Sequence, residues 1–274
     1  MDGIGKPDLI VDGYNSPHNF SLKPSHAKML ANADLVIWIG EDLETFLEKP
    51  LSTIAKKAKK IEVMDIRGVQ KLEFREKNIF EEHDDHKGHD DHKDDHTKKD
   101  GHEEHGHGTH DPHIWLDPIN AKIIIKEITN QLVKLDTKNS SIYKSNSKKA
   151  LADIDKLVKN IKKDLNKDLR FVVFHDAYQY FENRFNIQVL GALTVNTDVI
   201  PGAEQLSEIR EVIEHEKVNC LFSEPQFNPS IIKSIAKDTK IKTGILDPLG
   251  AKLDKGKNLY FDLLNDMASS FKGC

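Results

Sequence analysis

Cysteine is nearly absent: only Cys220 and Cys274 occur among the 274 residues. With no Cys-x-x-Cys pair, a thiolate zinc site has no support. On number alone the two are equally well two free thiols or one disulfide. Long apolar runs are also missing, and none reaches the roughly 18 residues of a membrane span. The opening Met1-Asp2-Gly3-Ile4-Gly5-Lys6 lacks the charged and then apolar pattern of an export signal. There is no strongly basic patch of the kind that marks a nucleic-acid binder. One further gap is local: between Phe80 and Ile114 there is no Ala, Val, Ile, Leu, Met, Phe, Trp, Tyr or Cys.

Histidine and acid fill that gap. Nine of the fourteen histidines lie in residues 81–112, and His113 follows at once. The same residues carry a net charge of −8 in a chain of −5, so the rest is about +3, an ordinary globular surface. Imidazoles mixed with carboxylates and nothing to bury read as a disordered, metal-attracting insert. Its bland reading is a solvated acidic segment. Its functional reading is a weak zinc lure in which His83, His86, His89, His92, His96, His102, His105, His107 and His110 chelate in many alternative pairs. Each pair would lose chain entropy on ordering. His102-Glu103-Glu104-His105 is no metalloprotease motif, because His-Glu-x-x-His would require histidine where residue 106 is Gly. His26 and His215, on expected helix surfaces, read as solvated.

At this length the chain can bury a substantial core. Asp8–Val11, Leu35–Ile39 and Ile61–Ile66 read as strands, with helices expected from Ser25 to Ala33 and over Asp42–Lys57, the latter interrupted by Pro50. Asp117-Pro118 is a strong helix start, Asp as cap and Pro in the first turn. Ile119, Ile123, Ile128, Leu132 and Leu135 form that helix's apolar stripe. Residues 140–169 contain no Gly or Pro and keep one apolar face through Ile142, Leu151, Ile154, Leu157, Val158, Ile161 and Leu165. They predict a long connecting helix. Strands follow at 171–174, 187–190, 220–222 and 242–246, with helices between them and a closing helix at 259–271. Alternating strands and helices predict an α/β protein. Its expected architecture is two lobes, each a mainly parallel sheet covered by helices, joined by a long rigid helix. The expected boundaries are 1–138 for an N-terminal lobe containing the insert 81–112, 139–169 for the helix, and 170–274 for a C-terminal lobe.

In open α/β sheets, ligands bind beyond the carboxyl ends of strands. His18, His175 and Asp247 are expected there, and His113 in the loop leaving the insert. Three imidazoles and a carboxylate suit zinc, and imidazole-rich sets favour zinc over manganese. Each residue has a plain alternative: a solvated loop histidine for His18 or His113, a helix-start hydrogen bond for His175, a turn former for Asp247.

Several stretches carry a family resemblance: Ser16-Pro17-His18, Leu22-Lys23-Pro24-Ser25, Ala31-Asn32-Ala33-Asp34-Leu35-Val36-Ile37-Trp38, His113-Ile114-Trp115-Leu116 and Val173-Phe174-His175-Asp176-Ala177-Tyr178. Pro201-Gly202-Ala203, Ser223-Glu224-Pro225-Gln226-Phe227 and Leu246-Asp247-Pro248-Leu249-Gly250 continue it. In order and over nearly the whole chain, they resemble the ZnuA-type zinc-binding proteins of bacterial ABC importers. The resemblance implies zinc ligation by His18, His113, His175 and Asp247. Manganese-binding relatives carry a carboxylate where His175 stands. It also implies a His- and acid-rich insert before the second ligand, a Cys220–Cys274 disulfide and a periplasmic location. Measured against the family pattern, the signal, first strand and first helix are expected to be missing, leaving an exposed sheet edge.

The expected function is capture of one Zn²⁺ between two lobes and its delivery to an ABC importer permease, by a monomeric protein that is not an enzyme. Two alternatives stand beside it. One is a zinc buffer or adhesin acting through the insert. The other is a zinc hydrolase, for which three histidines plus an open position would serve, but no general base or substrate pocket can be identified.

Overall fold

The computed structural model describes residues 1–80, 109–165, 169–195, 197 and 201–274. The expected insert therefore lies almost wholly outside the described residues, and so do His83, His86, His89, His92, His96, His102, His105 and His107.

Residues 1–23 contain no helix or strand. The strand expected at Asp8–Val11 does not form, and Leu9 is 53 % exposed. An apolar run becomes a strand only where a neighbour completes its ladder, and the adjacent sheet has two strands among the described residues. These are β1 (Leu35–Trp38) and β2 (Lys59–Glu62), parallel and in register from Leu35↔Lys59 to Trp38↔Glu62. Helix α1 (Pro24–Asn32) precedes them. His26, expected to be solvated, accepts a hydrogen bond from the Lys23 amide at its Nδ1 (3.2 Å) and stacks on Phe20. The helix expected over Asp42–Lys57 is reduced to a 3₁₀ turn at Thr45–Leu47 and the short α2 (Glu48–Thr53). Pro50 sits in its first turn, where a missing N–H costs nothing.

Helix α3 (Pro118–Leu135) starts where Asp117-Pro118 predicts, with the Asp117 carboxylate accepting from the Ile119 amide at 2.8 Å. Its buried residues are Pro118, Asn120 and Ala121, while Ile119 and Leu135, expected inward, are exposed. The helix docks by its first turn, and beyond that it mainly faces α4. Helix α4 (Ser140–Asp164) is the long helix, 25 residues and about 38 Å at 1.5 Å per residue. Tyr143, Ile154, Leu157 and Ile161 are its buried face.

The second sheet comprises β3 (Arg170–His175), β4 (Gln188–Thr194), β5 (Cys220–Ser223) and β6 (Lys242–Ile245), all parallel in the order β4-β3-β5-β6. Helices α5 (Gln179–Phe185), α6 (Ala203–His215), α7 (Ser230–Thr239) and α8 (Leu259–Gly273) complete it. Cys220 and Cys274 form a disulfide, Cα atoms 5.8 Å apart. Near-continuous burial of β3 and β4 is what a parallel sheet covered on both faces requires.

The first sheet's surroundings are stitched to the second. One hydrophobic cluster joins Val63, Met64, Ile114 and Leu116 to Leu157, Phe171, Phe181 and Phe271. Residues 78–80 run antiparallel along the free edge of β4: Ala192 donates to the Asn78 carbonyl and Phe80 to that of Leu190, both at 2.8 Å. Gly191 is needed there, since a Cβ would stand 2.7 Å from the Asn78 carbonyl oxygen. Residues 72–74 and 109–111 pair as well, with Asp111 donating to the Leu72 carbonyl (2.8 Å) and Phe74 to that of Thr109 (3.3 Å). No described helix is long and apolar enough to cross a membrane.

Candidate metal centre

The sheet order locates the site. From β3 the chain moves to β4 on one side, then crosses to β5 on the other, so the carboxyl ends of β3 and β5 flank the topological switch point where such sheets bind ligands. His175 is the last residue of β3, and Glu224 follows β5. His113 arrives from the stem below the insert and begins the 3₁₀ turn Ile114–Leu116. His18 comes from the irregular amino-terminal segment. Gly13 lets that segment approach, because a Cβ there would lie 2.8 Å from the Ala251 Cα.

These folding choices bring His18, His113 and His175 together, with one potential ligand atom from each within 4.8 Å of the others. His113 and His175 are buried, and His18 is half-buried. The Nε2 of His113 lies 3.4 Å from that of His18 and 3.3 Å from that of His175. Four ligands at about 2.0–2.1 Å from a tetrahedral zinc are separated by about 3.3–3.4 Å. Two edges of the triangle therefore have the length that zinc requires.

The opposite ring nitrogens are held by carboxylates. His113 Nδ1 is 2.7 Å from Asp111 Oδ1, and His175 Nδ1 is 2.6 Å from Glu224 Oε1. A carboxylate accepts, so each Nδ1 carries the hydrogen and each Nε2 turns a lone pair to the centre. Asp111 Oδ1 also accepts from the His113 amide at 2.9 Å. Burial, and then the neighbouring imidazoles, hold His18 and His113 well below the ordinary histidine range. Burial pushes His175 the same way, but the Glu224 carboxylate at its Nδ1 outweighs it, and the net shift is upward. The trio thus holds one proton most readily on His175.

A buried ionic layer lies behind. Arg75 donates to Asp176 Oδ1 (2.9 Å) and to Glu182 Oε1 and Oε2 (3.1 and 2.8 Å), and its guanidinium covers the Phe80 ring. Burial raises Glu182 to about 7 and also raises Asp111 and Asp176, with the Arg75 charge pulling all three back. Gln179 Nε2 reaches the Glu73 carbonyl (3.1 Å) and Asp111 Oδ2 (3.4 Å), tying the stem to α5.

Asp247 stands apart from the three imidazoles and is not among the groups that converge. Its Oδ1 accepts from the amides of Leu249 (3.2 Å) and Gly250 (3.0 Å) and from Gln226 Nε2 (2.9 Å), and its Oδ2 accepts from the Ala251 amide (2.6 Å). Here the carboxylate fastens the turn after β6. Of the expected accessory histidines, His110 is described: its backbone pairs antiparallel with that of Glu73, and its Nδ1 is 2.7 Å from Thr109 Oγ1. Asp111, Glu224 and Arg75 are the site residues that sequence reasoning missed. Asp111-Pro112-His113 and Glu224-Pro225 carry no local mark of metal chemistry, and for Glu224 alone the expected strand end after β5 is an available signal.

Trp115 lines the same cavity. Its indole donates to the Pro248 carbonyl at 2.9 Å, and its ring centroid is 5.3 Å from that of His113.

Comparison with known proteins agrees with this geometry. A family model described as ZnuA, periplasmic component A of the zinc-uptake complex, matches residues 4–274. The high-affinity zinc uptake system protein ZnuA of Brucella abortus (strain 2308) is 45 % identical over 288 residues, covering 100 % of this chain and 86 % of that protein. Its Yersinia pestis counterpart is 36 % identical over 277 residues, covering 100 % and 85 %. A crystal structure of ZnuA shares the fold with a TM-score of 0.77 at 23 % identity, covering 97 % of this chain and 89 % of that one. The chain belongs to the ZnuA family of periplasmic zinc-uptake components.

Proposed function

We propose that this protein is a solute-binding protein that captures one Zn²⁺ at His18, His113 and His175 and hands it to the membrane permease of an ABC importer. The observation that carries the reading is the Nε2 triangle, with edges of 3.3 and 3.4 Å matching a zinc tetrahedron. Family membership supports uptake as the purpose and the periplasm as the place. The protein works as a monomer of two lobes, residues 1–138 and 170–274, with residues 139–169 as the connecting helix that limits their relative movement. Zinc is cargo here, so the site must bind and release an ion, and hydrolysis has no part. Asp111 and Glu224 orient two of the imidazoles and offset the ion's charge. The histidines of residues 81–112 form a second, weaker reservoir.

Zinc titration followed by Trp115 fluorescence tests this, on the full chain and on a variant lacking residues 82–110. The tight site is expected to survive the deletion while the weak stoichiometry falls. Loss of tight binding in the deletion variant overturns the assignment and favours a buffer acting through the insert.

A further inference from the structure

Three imidazoles leave one side of a four-coordinate ion open. The cavity they line has a volume of ≈ 10 Å³, room for about one water-sized body. An ion seated there lies against the wall, so an unpartnered wall oxygen can take the fourth position in place of water. Gln226 is part of that wall. Its amide is fixed by its amino half, since Nε2 donates to the Gly13 carbonyl at 2.7 Å and to Asp247 Oδ1 at 2.9 Å. Only the NH₂ end of an amide can donate, and an oxygen in that position would face two other oxygens. The orientation is therefore set by the chemistry of its partners. Neither Gly13 nor Asp247 borders the cavity. The other half of the amide, Oε1, is buried and has no hydrogen-bond partner among the described residues. Burying an acceptor without a partner is costly, and in a folded protein such a group calls for a reason.

The remaining wall offers no equal candidate. Ser16 Oγ accepts from the His18 amide, and the Trp115 indole is engaged by Pro248. Glu224 Oε2 also lacks a partner, but its carboxylate sits behind His175, on the Nδ1 that faces away from the trio. Phe227, Pro248 and Leu249 supply only apolar side chains to this wall.

We propose that Gln226 Oε1 is the fourth, oxygen donor of the tri-histidine site, and that Asp247 is a positioning residue that holds the amide in place. This rests on the zinc reading given above. A neutral amide oxygen with three neutral imidazoles leaves the ion's charge to be offset by Asp111 and Glu224, one shell further out. It is also a weaker donor than a carboxylate, which suits an ion that must leave again.

Cobalt(II), added to the full chain as a zinc surrogate with visible bands that report its donors, tests the inference. Gln226→Met removes the oxygen and keeps the volume. It is expected to change the band positions and to weaken zinc binding about 10-fold or more by chelator competition. Asp247→Asn turns an NH₂ group toward either the Ala251 amide or Gln226 Nε2, and is expected to weaken zinc binding by less than Gln226→Met does. The thermal midpoint without metal separates roles: a purely structural Gln226 lowers that midpoint and leaves the cobalt spectrum unchanged. That result, or wild-type affinity and spectrum in Gln226→Met, overturns the inference while the zinc reading stands. Failure of the wild type to bind either metal tightly, or tight binding retained by His175→Ala, removes the zinc reading and this inference together.

Discussion

His175 and His18 reach the same point from regions built in opposite ways. His175 ends one of the two inner strands of a four-stranded parallel sheet, is buried, and has its Nδ1 on a buried carboxylate. His18 lies in a segment without helix or strand, half-buried, with Leu9 and Tyr14 exposed nearby. Its amide rests on Ser16 Oγ at 3.3 Å. His113 belongs with His175, carboxylate-backed and packed under the cluster that joins the two sheets. The difference teaches a division of labour: two imidazoles are oriented by buried carboxylates, and the third is brought in by a segment that has no helix or strand of its own. Supporting layers of this kind typically change metal affinity 10–100-fold.

The strongest test of that division is ligand removal. His175→Ala is expected to lose the tight site altogether, by more than the 10–100-fold of an outer-shell change. His18→Ala should keep measurable binding through the remaining pair. Equal losses, measured by competition with a zinc chelator, would break the distinction. The next largest effect belongs to the second sheet alone. Opening the disulfide by Cys274→Ser releases a 54-residue separation, worth about 4 kcal/mol in the chain-entropy model. Urea unfolding should show that loss, and hydrogen exchange should place it in β5 and β6 and not in β1 and β2.

Asp111→Asn is expected to weaken zinc binding by about 10–100-fold while the apo fold survives, as chelator competition would show. The same layer gives a pH dependence. Zinc needs a neutral imidazole, and His175 is the trio member whose proton affinity is raised. Affinity should therefore fall as pH drops, beginning at a higher pH than an unshifted histidine would give, with a proton released on binding. Calorimetry in buffers of different ionisation enthalpy measures that proton.

The last test concerns the first sheet. Burial raises Glu44 from 4.5 to about 7, although the amides of Ile39 and Gly40 donate to it. The folded state then keeps a proton that the unfolded chain has lost, so stability falls as pH rises from about 4.5 to about 7. Glu44→Gln keeps an acceptor oxygen and removes that fall. It should be more stable than the parent at pH 8 and little changed at pH 5, measured by thermal or urea unfolding.

Much of this was legible in the chain. Asp117-Pro118 announced its helix, the apolar runs at 171–174 and 220–222 announced buried strands, and the strand-end rule singled out His175. The run at Asp8–Val11 misled because pairing is a property of neighbours, which a local pattern does not carry. Asp247 shows the same limit. An acid after a strand is equally a ligand and a turn former, and three backbone amides claim it here. Arg75, Asp111 and Glu224 were illegible because their meaning comes from partners far away in sequence, such as Glu182 for Arg75.

The stem formed by residues 72–74 and 109–111 has a consequence for how this chain can vary. It closes before His113 begins, and Asn78–Phe80 is fastened separately to β4. Asp111 is the last residue of that stem and holds His113 directly, so the stem sets the position of a ligand. Each doubling of a loop held between such anchor points costs only about 0.6 kcal/mol of closure entropy. A segment of different length or composition spliced between residues 80 and 109 would therefore start and end at the same two anchor points.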